Sequence, residues 1–317
     1  MLKERGFYRG VNLGGWLSQC DYSVERLNGF ITEADFAQIA RWGFDHVRLP
    51  VDYNVIQNPD GSMKADGLCY VDRAIDLAAA HGLHVVLDLH KTQGFSFDAG
   101  EQESGFFESE RYQEYFYAVW ECFAARYGAK SGEVMFDLLN EVTEARYLAA
   151  WKRISREAIR RIRQKAPDTL ILLGSYQWNS ALTVPALDAP YDSHVLYNFH
   201  FYEPHAFTHQ GAYWEAPFRD VSARYSYEQS GASEDYFEDY LLPALTKAQQ
   251  EGAALYCGEY GVIDVVPPEE ALKWHRDLHA VFERHGIARC LWSYKEMDFG
   301  LSDARYDAVR DELLPLL

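Results

Sequence analysis

The sequence predicts a single (β/α)8 barrel, in which eight parallel strands close into a cylinder that is wrapped by helices. Two observations support this prediction. Eight short apolar segments alternate with helix-like segments along the whole chain. No linker or change in composition divides the 317 residues, so residues 1–317 are expected to form one domain.

The predicted strands are spread along the whole chain. They cover residues 9–14, 46–51, 84–90, 134–141, 170–175, 194–202, 254–262 and 289–295. Several are nearly continuous apolar runs, which is typical of parallel strands that are buried on both faces. The gaps between them are long enough for the crossover helices that parallel strands require.

Helical signals fill the gaps between these strands. A capping box at residues 32–35 indicates the start of the first helix. Apolar residues that recur every three to four positions predict further helices around residues 71–79, 112–123, 148–162 and 274–282, and their aromatic side chains are interpreted as core. The longest irregular stretch, residues 203–233, follows the sixth strand and is expected to build the mouth of the barrel.

The composition favours an uncharged partner. Hydrophobic residues make up 48% of the chain and aromatic residues 15%, which is enough for a large core and for ring faces that stack on sugars. The formal net charge of −18 argues against nucleic acid and against an anionic membrane surface, since both attract basic patches. A neutral polysaccharide makes no such demand.

Cysteine usage and the chain start point to a reducing compartment. The cysteines are odd in number and widely spaced, which argues against a disulfide framework or a zinc site; they are Cys20, Cys69, Cys122, Cys257 and Cys290. Residues 1–6 lack the apolar segment of a signal peptide, and no apolar run reaches the length of a membrane span. The expectation is a cytoplasmic protein, or a secreted one if a leader was removed, and the oligomeric state is left open.

Side chains of catalytic type stand at the C-terminal ends of most predicted strands, the edge where barrel enzymes carry their active sites. They are Arg48, His90, Asn140, Glu141, His200, Tyr202, Glu259 and Trp292. Each alone has a structural explanation, as an ion pair or a core residue. Their coincidence at one edge favours a functional site.

Glu141 and Glu259 are the most informative of these residues. Each ends a short apolar segment, and a carboxylate on a buried strand is costly to desolvate. Two carboxyl groups on separate strands of one barrel are what glycoside hydrolysis requires, one as an acid and one as a base or nucleophile.

In these motifs the chain resembles family 5 of the glycoside hydrolases, the cellulase family of clan A. The motifs follow the order of that family and read RGVNLGGW at residues 9–16, HVRLP at 46–50, LDLH at 87–90, LNE at 139–141, HFY at 200–202, GEYG at 258–261 and LWSY at 291–294. One departure is Val142, which follows Glu141 where the family commonly has proline.

The resemblance implies a retaining β-glycosidase without a cofactor or metal. Glu259 would be the nucleophile and Glu141 the general acid/base, with carboxyl groups about 5–5.5 Å apart. Arg48 and Tyr202 would stabilise the charge of Glu259. Asn140 would bind the 2-hydroxyl of the reacting sugar.

The remaining strand-end residues would hold the reacting sugar. By the same resemblance, His90 and His200 would contact it, and Trp292 would form its stacking platform. Further residues near the predicted mouth are candidates for binding flanking sugars, although half of them are expected to be loop core: Trp16, Trp178, His205, His209, Trp214, Lys295, Glu296 and Asp298.

The sequence leaves the substrate open. An endo-β-1,4-glucanase is the favoured activity because it is the family's commonest. An exo-acting β-glucosidase, a β-1,3-glucanase or a β-mannanase would use the same catalytic set on a β-linked oligo- or polysaccharide. Two other classes are disfavoured. A carbohydrate-binding pseudoenzyme would not need both carboxylates, and a metal-dependent hydrolase would be expected to carry H-x-H after the first strand or H-E-x-x-H.

Overall fold

The architecture is a closed barrel of parallel strands, seen in a computed structural model that describes residues 2–98, 100–219 and 224–317. Each strand pairs with the next in sequence, and the last pairs with the first. The strands are β1 (Arg9–Asn12), β2 (His46–Asp52), β3 (His84–Lys91), β4 (Val134–Asp137), β5 (Ile171–Gly174), β6 (Val195–Phe201), β7 (Leu255–Tyr260) and β8 (Ala288–Leu291).

Helices pack around the outside of the barrel. Within the described residues they are α1 (Val24–Gly29), α2 (Glu33–Arg41), α3 (Tyr53–Ile56), α4 (Ala65–Ala80), α5 (Glu110–Tyr127), α6 (Leu148–Arg163), α7 (Tyr176–Asn179), α8 (His205–Thr208), α9 (Ala216–Arg219), α10 (Glu234–Glu251), α11 (Pro268–His285) and α12 (Arg310–Leu313). Short 3-10 helices cover Lys3–Arg5, Gly128–Lys130, Ala145–Tyr147, Ala181–Ala186, Glu228–Ser230, Ala304–Tyr306 and Leu314–Leu316. Among these helices none is both long and apolar enough to cross a lipid bilayer.

The predicted barrel is confirmed, with shorter strands than expected on its C-terminal side. β4 ends at Asp137 and β8 at Leu291, several residues before their predicted ends. The backbone leaves the sheet at these points, and Glu141, in the turn after β4, has a left-handed φ of 42°. The capping box is also present, since the backbone N–H of Thr32 donates to Asp35 at 2.7 Å.

Two connections differ from the expectation. After β5 the chain forms only the four-residue α7 and a short 3-10 helix, Ala181–Ala186, in place of the long α-helix that a regular repeat would supply. The stretch predicted to be irregular, residues 203–233, contains α8, α9 and a 3-10 turn. Residues 220–223 of that stretch lie outside the described part of the chain.

The barrel interior is apolar in one layer and polar in the next. The apolar layer includes Val86, Met135, Leu172, Leu196 and Tyr256, which pack together. Because side chains of a strand alternate between its two faces, residues two positions further on point into the barrel one layer higher. That layer contains Asp88, Asp137 and Asn198, all fully buried. The polar layer forms the floor on which the site is built.

At Gly67 the helix α4 packs closely against the backbone of α3. A Cβ atom at this position would lie 1.9 Å from the backbone oxygen of Val55 in α3. In the interior of a helix, alanine is normally more stabilising than glycine. We nevertheless expect Gly67→Ala to lower the free energy of unfolding by about 1–3 kcal/mol, the usual cost of overpacking.

Urea unfolding followed by circular dichroism measures this change. The matched control is Gly29→Ala in α1, where a Cβ would meet nothing within 4 Å, and which we expect to be neutral or slightly stabilising. Equal stability of the two variants would show that the contact between α3 and α4 is not tight.

Candidate active site

Arg48 is the centre of the polar layer. It extends from β2, is fully buried, and donates from Nη1 to Glu259 Oε1 at 2.8 Å and to Asn12 Oδ1 at 3.0 Å. Its Nε donates to Asp137 Oδ2 at 3.0 Å, and its Nη2 to Asn140 Oδ1 at 2.9 Å. One guanidinium on β2 therefore connects residues of three other strands, β1, β4 and β7, and of the turn after β4.

The charges around Arg48 do not balance if every acid is ionised. Nη2 also lies 3.2 Å from Asp88 Oδ2, so three carboxyl groups (Asp88, Asp137 and Glu259) share one cation. Burial raises the pKa of Asp88 and of Asp137 to about 7, although Arg48 opposes the shift. The Oδ1 atoms of both aspartates lack a hydrogen-bond partner within the described residues. We infer that this pair keeps a proton at mildly acidic pH.

Glu141 and Glu259 face each other above this layer. One oxygen of each carboxyl group and a ring nitrogen of His200 all lie within 4.8 Å of one another. His200 Nδ1 is 2.8 Å from Glu141 Oε1 and 3.6 Å from Glu259 Oε2. The Tyr202 hydroxyl donates to Glu259 Oε2 at 3.0 Å. Each carboxyl group thus has its own set of partners.

Because their partners differ, the two carboxyl groups have different pKa values, and that of Glu141 is the higher. Burial, reinforced by the charge of Glu259, raises the pKa of Glu141 well above its ordinary value. Burial also raises the pKa of Glu259, but the Arg48 charge and the Tyr202 hydrogen bond oppose it. A single proton shared by the pair therefore resides on Glu141, and Glu259 carries the negative charge. His200 is neutral, because burial and Arg48 hold its pKa well below the ordinary value.

His90 and Trp292 form a wall beside the carboxyl pair. Their rings are parallel, with an interplanar angle of 2° and centroids 5.8 Å apart. His90 Nδ1 lies 2.6 Å from Asp88 Oδ2, and burial lowers the pKa of His90 to about 3, so the ring is neutral. A Cβ at Gly14 would come within 2.9 Å of the Trp292 ring, which explains why glycine stands there.

Trp16 is a correction to the sequence interpretation. It was one of the candidates near the mouth for binding flanking sugars, half of which were expected to be loop core. It is instead fully buried, donates its indole N–H to the Leu27 oxygen at 2.9 Å and packs edge-on against Phe36. The chain that follows the first strand turns toward α1 and α2, and Trp16 therefore belongs to the core.

Other candidates on the loop after β8 have structural partners. Lys295 donates to Asp35 Oδ1 at 3.2 Å and lies over the Phe30 ring, so it faces the start of α2. Glu296 pairs with Arg26 at 3.3 Å. The Asp298 carbonyl accepts from the backbone N–H of Asp264 at 2.7 Å.

Aromatic side chains at the mouth remain open to solvent. Trp178 is 50% exposed and Trp214 42% exposed. Tyr213, which the sequence interpretation missed, is 70% exposed and packs perpendicular to Trp214 at 4.9 Å. The charge of Asp298, in the segment after β8, raises the pKa of Tyr213, in the segment after β6, so these two segments lie near each other. His205 and His209 stack on each other in the segment between Tyr202 and Trp214.

The sequence interpretation also missed the residues that hold Arg48. Asn12, Asp88, Asp137 and Asn198 are fully buried polar groups in strands, and Asn198 Nδ2 donates to Asp137 Oδ2 at 3.1 Å. A signal was present, because a carboxylate inside an apolar strand is as costly to bury as one at its end.

Comparison with known proteins identifies the family. Residues 9–298 match the family model described as Cellulase (glycosyl hydrolase family 5). The chain belongs to this family. It is 54% identical to Cellodextrinase A of Ruminococcus flavefaciens over 289 residues, covering 91% of this chain and 86% of that protein. It is 34% identical to Endoglucanase C of Acetivibrio thermocellus over 98% of both chains.

The fold of this glycoside hydrolase is shared with solved structures. Thermotoga maritima Cel5A in complex with cellobiose superimposes with a TM-score of 0.84, covering 99% of this chain and 98% of that one at 23% identity. The family resemblance, the barrel and the enzyme class expected from the sequence are therefore confirmed.

Asp137 gives this family member a pH-dependent stability. Its native pKa of about 7 exceeds the ordinary 3.8, so between these values the native state binds more protons than the unfolded chain. Its contribution to stability therefore falls as pH rises through that window. Asp137→Asn keeps an acceptor for Arg48 but removes the charge. We expect the free energy of unfolding of Asp137→Asn, relative to wild type, to rise by up to about 1.4 kcal/mol per pH unit.

Urea unfolding of both proteins at pH 5 and at pH 7.5 measures this difference. Asp60→Asn is the control, because Asp60 is exposed and hydrogen bonds from Ser62 lower its pKa. A difference for Asp137→Asn that did not change with pH would contradict the assignment of the proton.

Proposed function

We propose that the protein hydrolyses β-1,4-linked glucan with retention of configuration, using Glu259 as the nucleophile and Glu141 as the general acid/base. One observation carries the proposal: oxygens of the two carboxyl groups lie within 4.8 Å of each other in different electrostatic settings. Retaining enzymes hold these groups about 5–5.5 Å apart, whereas inverting enzymes leave about 6.5–9.5 Å for a water molecule.

The contacts of Glu259 suit a nucleophile. Arg48 and Tyr202 donate to different oxygens of its carboxylate, at 2.8 and 3.0 Å, and hold it ionised and fixed in orientation. In the first step a carboxylate oxygen attacks the anomeric carbon, and the bond from that carbon to the leaving oxygen breaks. A covalent glycosyl ester forms, and the negative charge of Glu259 disappears.

The surroundings of Glu141 suit an acid that later becomes a base. Its raised pKa keeps it protonated, and it gives that proton to the leaving glycosidic oxygen. Once Glu259 is an ester, the charge that raised the pKa of Glu141 is gone. Glu141 then removes a proton from water, whose oxygen attacks the anomeric carbon from the opposite side to Glu259 and breaks the ester.

Asn140 and His200 are poised to bind the reacting sugar. The Asn140 oxygen accepts from Arg48 at 2.9 Å, while its Nδ2 is buried without a partner in the described residues. His200 Nε2 is likewise buried without a hydrogen-bond partner in the described residues. A sugar hydroxyl can satisfy such groups, and a contact to the 2-hydroxyl strengthens in an oxocarbenium-like transition state. The parallel wall of His90 and Trp292 supplies the apolar surface beside it.

The relatives guide the choice of substrate. The name of Endoglucanase C, a relative that aligns along almost the whole chain, favours internal cleavage of a glucan. Soluble cello-oligosaccharides are the second candidate, because the relative at 54% identity is named Cellodextrinase A. The exposed rings of Trp178, Tyr213 and Trp214 suit either substrate, since each offers a flat face for stacking.

Variants of the two carboxyl groups test their roles. We expect Glu141→Ala and Glu259→Ala each to lose at least about 100-fold in kcat/KM on cello-oligosaccharides, because a positioned acid/base group contributes about 10²–10⁴-fold. On an aryl cellobioside with an acidic phenol as leaving group, Glu141→Ala should recover in the first step, which then needs no proton. Glu259→Ala should not recover.

Initial rates and burst kinetics on both substrates measure this. Glu269→Ala, at an exposed position on α11, is the control that should keep full activity. Recovery of Glu259→Ala on the aryl substrate would assign the nucleophile to another group.

Product analysis separates the two candidate substrates. Purified protein is incubated with β-1,4-glucan, β-1,3-glucan, mannan, xyloglucan and cello-oligosaccharides, and products are resolved by chromatography beside Glu259→Gln. A ladder of products from β-1,4-glucan supports internal cleavage. Turnover confined to cello-oligosaccharides supports the second candidate. Products from only β-1,3-glucan or mannan would overturn the proposed linkage or sugar.

A further inference from the structure

A second group of metal-ligating side chains lies in the segment after β6. His205 begins the short helix α8 and His209 follows its end, with the backbone N–H of His209 donating to the His205 oxygen at 2.9 Å. Four residues apart on one helical turn, the two imidazoles share a face. Both oxygens of Glu215 lie 3.0 Å from His205 Nε2. Potential ligand atoms of the three residues lie within 4.8 Å of one another.

We propose that His205, His209 and Glu215 bind a divalent transition metal of the zinc class. Two imidazoles and one carboxylate are a ligand set that zinc accepts, with water in the fourth position. At bond lengths of about 2.0–2.1 Å, neighbouring ligands of a tetrahedral zinc ion lie roughly 3.3 Å apart. The 3.0 Å contact between His205 and Glu215 is close to that spacing. The ion would replace the proton that now joins them.

Thr208 orients His209 for this role. Its hydroxyl donates to the Tyr202 carbonyl oxygen, so its oxygen accepts from His209 Nδ1, 3.1 Å away. Nε2 is then the nitrogen with a free lone pair. Histidines that bind metal usually donate from their other nitrogen in this manner.

The site is open on one side and needs one adjustment. The side chains of His205 and Glu215 are 40% and 30% exposed, so an ion and its water can enter from solvent. The two imidazole rings stack with centroids 4.0 Å apart and an interplanar angle of 22°. The exposed His205 ring must turn away from this stack until both lone pairs converge on the ion.

An ion bound there would hold in place the segment after β6, which lies at the mouth of the active site. The His209 ring lies against Tyr202 at 4.9 Å and near Trp214 at 6.2 Å. Tyr202 in turn donates to Glu259. An ion held by His205, His209 and Glu215 would therefore brace the segment that carries Trp214, without itself touching the carboxyl pair. The proposal does not depend on the substrate or on the hydrolytic mechanism.

Metal titration tests the proposal. The background is Glu259→Gln, because Glu141, His200 and Glu259 also lie close enough to take an ion and would add a second binding event. Calorimetry with zinc chloride should give one equivalent bound, and cobalt chloride should produce the visible absorption of histidine-bound cobalt. Adding His205→Ala or Glu215→Gln should weaken binding by at least about tenfold. Zinc should raise the unfolding temperature only when all three ligands are present.

The control is His285→Ala in the same background. His285 pairs with Glu238 between the outer helices α11 and α10, so it is a histidine–carboxylate pair without a second imidazole in its described contacts. Its removal should leave binding unchanged. Absence of saturable binding, or equal binding with and without His205, would overturn the proposal. Glu141→Gln serves as an alternative background if Glu259→Gln does not fold.

Discussion

The buried guanidinium of Arg48 is the interaction on which the site depends. Among the described residues it is the one lysine or arginine that pairs with Asp88, Asp137 and Glu259, and it also donates hydrogen bonds to Asn12 and Asn140. A buried charge without a partner costs several kcal/mol of stability. Removing this cation would leave several buried carboxyl groups without their counter-charge at once. The barrel can place a carboxylate at the end of β7 because β2 supplies its counter-charge. Stability and chemistry therefore share one residue.

The fold was predictable because its signal is local. Apolar strands and helical periodicity repeat along the chain, and each repeat can be read without knowing the others. The carboxyl pair was predictable for a similar reason, since strand ends of a barrel meet at one face. The network under Arg48 was not predicted. Which side chains of β1, β3 and β4 reach one guanidinium depends on the stagger of the strands, which the sequence does not display.

The residues of the mouth were predicted less well than the carboxyl pair. Trp16 and Lys295 follow strands, as functional residues do, but their chains turn toward α1 and α2 and find partners there. Tyr213 was overlooked next to Trp214, although both are exposed. The approach of Glu215 to His205 depends on how the chain returns after α8, so a search for fixed histidine motifs did not find it. Loop paths are decided by tertiary contacts that strand patterns do not encode.

The contact between Gly14 and Trp292 connects the segments that follow the first and the last strand of the barrel. Gly14 follows the first strand and Trp292 the last, and the indole ring rests directly on the glycine backbone. The aromatic surface beside Glu141 and Glu259 is therefore assembled only when the eighth strand closes against the first. A chain whose first seven strands had formed would hold both acids but would lack the aromatic surface on which we propose that the sugar binds. Pairing of the last strand with the first therefore also completes the proposed sugar-binding surface.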